Sequence, residues 1–291
     1  MVAVAARAHV QGPPTGLALA HEDLVARIHS KIAAGEVTPE ALAEEFAEME
    51  AVFAARKSEE AHDAGDLLVS QLAFTIELLD EPAQVGALMG RIEAEFPEAD
   101  SGSAIVQALE RRSARERSLA AQAALVGQPA PETPFAWANR TGLASLSDLR
   151  GSIVIIDFWA TTSPASVRAF SQIRRLAERV EDRPVVVLSL TRLQGSITGL
   201  EAAPIDTTGN PERERALLGE FVRARNLTWA VGLAEDGSVF DAFAVPRLPY
   251  RVIIGPDGLV RFTGLAPAEP LDRQLARIET LLAESGAGAS R

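Results

Sequence analysis

Residues 152–170 constrain this chain more than any other segment. Ile153-Val-Ile-Ile-Asp-Phe-Trp159 is a run of β-branched and aromatic residues broken by a single carboxyl group, and Ala160-Thr-Thr-Ser-Pro164 follows directly. A continuous apolar run of this length reads as a strand covered on both faces. Ser163 followed by Pro164 reads as a helix start, with a side-chain acceptor at the N-cap and a proline at N1, where a missing N–H costs nothing. A strand buried on both sides needs helices above and below it. The segment therefore reads as a buried strand running into a helix.

The surroundings extend that pattern. Strands are expected at Ile153–Trp159, Pro184–Leu190, Trp229–Leu233, Arg251–Ile254 and Val260–Thr263, and helices at Pro164–Arg179, Glu212–Arg225 and Leu271–Glu284. Asp257-Gly258 lies between two apolar runs and signals a hairpin. The order predicts a mixed sheet covered on both faces. Upstream, from about 21 to 124, the texture is rich in Ala, Glu and Leu at helical spacing. Leu42, Phe46, Met49 and Phe53 form one stripe, and Val85, Met89, Ile92 and Phe96 repeat it 43 residues later. Pro39 and Pro82 stand at matching helix starts. Four or five helices packed as hairpins are expected, with a weak internal repeat. Pro129 and Pro131 mark the boundary. The expected organisation is a flexible tail over 1–20, a helical domain over 21–124, an α/β domain over 125–286 and a short tail over 287–291.

Residues 125–286 resemble a thioredoxin-fold domain of the TlpA/ResA type, a family of membrane-tethered or periplasmic thiol–disulfide oxidoreductases. Five ordered stretches carry the resemblance: Val126-Gly-Gln-Pro-Ala-Pro131, Leu146-Ser-Asp-Leu-Arg-Gly151, Phe158-Trp-Ala-Thr161, Val245-Pro-Arg-Leu-Pro249 and Ile253-Ile-Gly-Pro-Asp-Gly258. The resemblance implies a thioredoxin-like fold, a cis-proline at Pro249 and an extracytoplasmic location. It also implies a Cys-x-x-Cys pair at 163 and 166. Serine occupies both positions, and the chain contains no cysteine. Thr162 stands where the family usually has tryptophan, Ser171 where a helix-kinking proline is common, and 191–211 is longer than the usual connection. These extra departures favour drift over deliberate replacement of the two sulfurs.

Without a thiolate the chain can form no mixed disulfide, so no reductase activity is expected from it as it stands. A serine nucleophile would need a base, and the histidines are His9, His21, His29 and His62, all outside the thioredoxin-like part. Neither a metal site nor a cofactor is expected. Asp157 matches an acid that assists proton transfer in many thioredoxins; here it reads as a remnant reached by water or by the hydroxyls of Thr161, Ser163 or Ser166. Without a cationic partner its pKa would rise, and Asp157→Asn or Asp157→Leu would be neutral or stabilising.

The composition, 47% apolar and 23% charged, is that of a globular protein. No apolar run reaches membrane-spanning length, and Met1-Val-Ala-Val-Ala-Ala-Arg7 does not read as a secretory signal. Residues 1–124 carry 10 Lys and Arg against 21 Asp and Glu, and residues 125–291 carry 18 against 19. That balance argues against nucleic acid as a partner. The expected function is binding of a protein or extended peptide by a redox-inactive domain. The groove implied by the resemblance has Leu248 and Pro249 facing Trp159, Thr162 and Ser163, and Leu248→Arg is expected to remove binding with little effect on stability. Two alternatives stand: an oxidoreductase whose cysteines were replaced, and a helical-repeat adaptor with a structural thioredoxin-like domain.

Overall fold

A computed structural model describes residues 16–34, 38–56, 61–79, 81–265 and 269–285. Chain contacts divide into two units, one up to Glu116 and one from Arg117 onward. The expected C-terminal tail over 287–291 and residues 1–15 lie outside the described residues.

The first unit is helical: α1 (Gly16–Ala34), α2 (Pro39–Arg56), α3 (Ala61–Leu78), α4 (Pro82–Glu95) and the start of α5 (Ser101–Leu125). Helix α1 begins inside the segment expected to be tail. Pro39 and Pro82 each open a helix. The expected stripe on α2 is fully interior, with Leu42, Phe46, Met49 and Phe53 all buried. On α4 the buried stripe is Leu88 and Ile92, while Val85, Met89 and Phe96 pack on it only in part. Helix α3 contacts α1, α2 and α4 and supplies Leu67, Leu68 and Leu72 to the core.

The last turns of α5 belong to the second unit. Gln122 and Leu125 explain why: the Gln122 side chain donates to the Ala244 carbonyl at 3.4 Å, and Leu125 packs on the sheet's core. The unit continues through β1 (Phe135–Ala138), β2 (Ile153–Phe158), α6 (Pro164–Arg179), β3 (Val185–Thr191), β4 (Ser196–Ile197), β5 (Ile205–Asp206), α7 (Pro211–Ala224), β6 (Ala230–Ala234), α8 (Val239–Ala242), β7 (Tyr250–Ile254), β8 (Val260–Leu265) and α9 (Leu271–Glu284). The main sheet has the order β1-β6-β3-β2-β7-β8. Strands β2, β3 and β6 are mutually parallel, and β1, β7 and β8 run antiparallel to their neighbours. Gly258, at φ +82, turns β7 into β8 where Asp257-Gly258 predicted a hairpin.

Every residue of β2 is buried. Ile153, Ile155 and Trp159 join the core under α6, α7 and α9, while Val154, Ile156 and Phe158 join the core on the opposite face. Strand alternation thus sends one run of sequence into two hydrophobic layers. The expected mixed sheet with helices is present. The short elements β1, β4, β5 and α8 were not expected, because none is long enough to show periodicity.

Candidate functional site

The parallel strands all point their carboxyl ends toward one end of the sheet, and the loop after β2 leaves there. Ser163 has extended backbone, its Oγ accepts from the Ser166 N–H at 3.3 Å, and Pro164 fills N1. Ser163 is thus the N-cap of α6, the local role its residue type favours. Ser166 is fully buried, and its Oγ has no partner among the described residues. Neither hydroxyl contacts a base, so neither is an activated nucleophile. His21 hydrogen-bonds Ser70 at 2.8 Å and His29 packs edge-on against Phe74, both within the first unit. The side chains of His9 and His62 lie outside the described residues.

The Leu248–Pro249 peptide bond is cis. Tyr250 pairs with Phe158 across the antiparallel ladder, which places Leu248–Pro249 at the same sheet end as Thr161–Ser163. Thr162 is exposed, Ser163 and Leu248 are half-buried, and Pro249 is buried. Trp159 corrects the expectation: it is not a groove residue. It is fully buried, 5.0 Å from Phe170 and 5.7 Å from Phe221 between ring centroids, because alternation continues past β2 onto the α6 face. Leu248 also packs in part on the core of this face, so Leu248→Arg carries a stability cost that the sequence reading did not foresee.

Asp157 requires a second correction. It has a cationic partner, Arg251, which the sequence reading did not find. Arg251 Nε donates to Asp157 Oδ1 at 2.9 Å, and both side chains are fully buried. Arg251 Nη1 reaches Gln172 Oε1 at 3.2 Å and Gln274 Oε1 at 3.1 Å, and both amides in turn donate to the Glu269 carbonyl. Burial pushes the Asp157 carboxyl above its usual range, and the guanidinium pulls it part of the way back.

Gln194 and Glu214 are the site residues that sequence reading missed. Gln194 Oε1 accepts from Thr161 Oγ1 at 3.0 Å and from both the N–H and the hydroxyl of Thr162 at 3.2 Å. Thr198 adds bonds to Thr161, donating its hydroxyl to the Thr161 carbonyl and its N–H to Thr161 Oγ1. Glu214, buried on α7, accepts from the Gln194 N–H at 2.5 Å, the Gly195 N–H at 3.0 Å and Thr207 Oγ1 at 2.8 Å. The long 191–211 connection is therefore an ordered clamp that holds the loop before α6. Gln194 lies in an irregular stretch that periodicity cannot read, and Glu214 is one of two acids in the first turn of α7.

Among the described residues, no group of three or more His, Asp or Glu could hold a metal ion, and no helix is long and apolar enough to cross a membrane. No family model matches the chain, and neither does any curated protein. Solved structures do. The thioredoxin domain of a thiol–disulfide oxidoreductase from Bacteroides vulgatus is similar over 53% of this chain and 96% of its own, at 14% identity and a TM-score of 0.40. A thiol–disulfide isomerase from Corynebacterium glutamicum matches over the same shares at 17% identity and a TM-score of 0.40. An exposed lipoprotein thioredoxin from Streptococcus pneumoniae matches over 47% of this chain and 90% of its own, at 18% identity and a TM-score of 0.37. The chain's own sheet order, with the α6 start and the cis Leu248–Pro249 bond at one sheet end, is the arrangement expected of a thioredoxin-like fold.

Cys-x-x-Cys chemistry can be tested at this helix start. Ser163→Cys with Ser166→Cys is expected to form an intramolecular disulfide under mild oxidant, since positions three apart in a first helical turn are neighbours and the helix N-terminus favours a thiolate. Thiol titration before and after oxidation reads the outcome. Two thiols that remain free would mean that the turn does not have dithiol geometry.

Proposed function

We propose that this chain is a redox-inactive relative of the TlpA/ResA-type proteins that binds an extended stretch of polypeptide at the α6 end of its sheet. The observation that carries the reading is the use made of the two serines: Ser163 caps α6 and Ser166 is buried, so both sulfur positions serve structure. Thr162, Ser163 and Leu248 form an accessible rim beside backbone that can pair with an extended segment. Such pairing needs N–H and carbonyl groups, not sulfur. The extracytoplasmic location belongs to the same proposal and rests on the resemblance.

A second reading, an oxidoreductase whose cysteines were replaced, is favoured by one observation: a buried acid remains at Asp157 beneath a site without thiols. Binding separates the two from a helical adaptor. The full chain is expected to bind an unfolded, carboxymethylated polypeptide saturably by fluorescence anisotropy, equally with and without reductant, and to show no dithiol-dependent disulfide reduction above buffer. Failure to bind, or binding retained in full by residues 1–124 alone, would overturn the proposal.

A further inference from the structure

At the opposite end of the sheet from Ser163, β3 outruns its neighbour. Strand β6 begins at Ala230, opposite Leu188, whereas β2 pairs with β3 from Val185 onward. Val185–Val187 therefore has a strand on one side and none on the other. A cleft of about 330 Å³ occupies the gap, bordered by the end of α6, Arg140 in the turn after β1, and Thr228–Trp229.

The backbone direction of this edge follows from the ladder. The Pro184 carbonyl accepts from Ile153 N–H and the Leu190 carbonyl from Trp159 N–H, so even-numbered residues of β3 bond toward β2. Alternation turns odd-numbered residues toward the β6 side. The Val185 carbonyl and the Val187 N–H consequently face the cleft. That pair, two residues apart on one edge, is the arrangement with which a strand accepts one residue of an added strand.

The cleft also has a charge preference. Glu178 and Glu181 are exposed on its α6 wall, where the helix ends and its dipole is negative. Arg140 faces them from the border, and the Arg174 guanidinium, 5.5 Å over the Trp229 ring, is engaged by the Asn226 and Arg225 carbonyls. Its floor is apolar, with buried Val180, Val187 and Trp229.

We propose that this cleft receives a short extended polypeptide segment, paired in strand fashion with Val185–Val187, with an apolar side chain on the floor and a flanking basic side chain at Glu178 and Glu181. The site is separate from the Ser163 rim, and binding there does not depend on it.

The test is an amide chemical-shift titration of the full chain with a capped Lys-Val-Val-Val-Lys peptide. Saturable shifts at Val185–Val187 and Thr228–Trp229 are expected. N-methylation of the central valine, which removes one pairing N–H, is expected to weaken binding roughly tenfold. Glu178→Lys with Glu181→Lys, on exposed positions, is expected to weaken it by a similar factor and to favour the Glu-flanked counterpart peptide. The proposal is overturned if no saturable shift appears at these residues. It is also overturned if N-methylation leaves affinity unchanged, which would make the cleft a site for cations alone, or if the charge reversal has no effect. Shifts confined to Thr162 and Leu248 would report the other site and count against this one.

Discussion

Arg251→Met is expected to cost about 3–5 kcal/mol of stability at neutral pH, because it strips a fully buried carboxyl group of its cation. The substitution keeps an unbranched side chain of similar length, so lost packing is minor. Gln172 Oε1 and Gln274 Oε1 lose their donor as well. The penalty has a pH dependence of definite sign. Asp157 sits above its usual pKa through burial, held back by Arg251. An acid raised on folding contributes stability that is fully present below its unfolded pKa and is lost as pH rises through the folded one. Removing Arg251 raises the folded value further, so the loss deepens and extends to higher pH. Urea denaturation across a pH series should show the smallest difference from the parent in acid and the largest toward neutrality. A penalty that is constant with pH would contradict this account.

The Asp157 substitutions then separate. Asp157→Asn keeps an acceptor oxygen for Arg251 Nε but removes the counter-charge of a fully buried guanidinium, so it is expected to destabilise, by less than Asp157→Leu. Asp157→Leu removes that acceptor and leaves a buried guanidinium that cannot shed its charge, so it is expected to cost about 3–5 kcal/mol, against the sequence-based expectation of neutrality. Combining Asp157→Leu with Arg251→Met should recover most of either loss, because neither buried charge remains to be compensated.

Glu214→Ala is expected to release the 191–211 clamp. Three donors lose one buried carboxylate, and bonds to a charged acceptor are worth about 1.5–3 kcal/mol each. Part of the loss is local, since the segment can open without unfolding the sheet. Amide exchange at Gln194 and Gly195 should accelerate on the order of a hundredfold, about 2.7 kcal/mol, with a smaller increase at Thr162. Unchanged exchange at all three would mean that the clamp is held by other contacts.

The parts of this fold that were legible are those with a strong period or a strong signal residue. Strand β2 shows as an unbroken apolar run, α6 opens at the serine and proline that predicted it, and α9 spans the residues its apolar spacing marked. What stayed hidden is pairing at a distance. Asp157 and Arg251 are 94 residues apart, each a single charge inside an apolar strand, and only the β2–β7 register shows that they face one another. Two strands carrying one opposite charge each is a signal that could have suggested the pair. Trp159 was placed in the groove by the resemblance, whereas strand alternation turns its ring inward. Gln194 carries no such signal, because its role comes from an irregular loop folding back on Thr161 and Thr162.

Location of binding is the most direct test of the central claim. Anisotropy of an unfolded, carboxymethylated polypeptide should be measured against the parent chain, Thr162→Arg and Leu248→Arg, each with its own thermal unfolding curve. Thr162 is exposed and keeps its backbone bond to Gln194, losing only the hydroxyl one, so Thr162→Arg is expected to cost little stability and to weaken binding at least tenfold. Leu248→Arg is expected to weaken binding as much, with a modest loss of stability from its half-buried packing. Parental affinity in both variants, each still folded, would contradict the assignment of polypeptide binding to this end of the sheet.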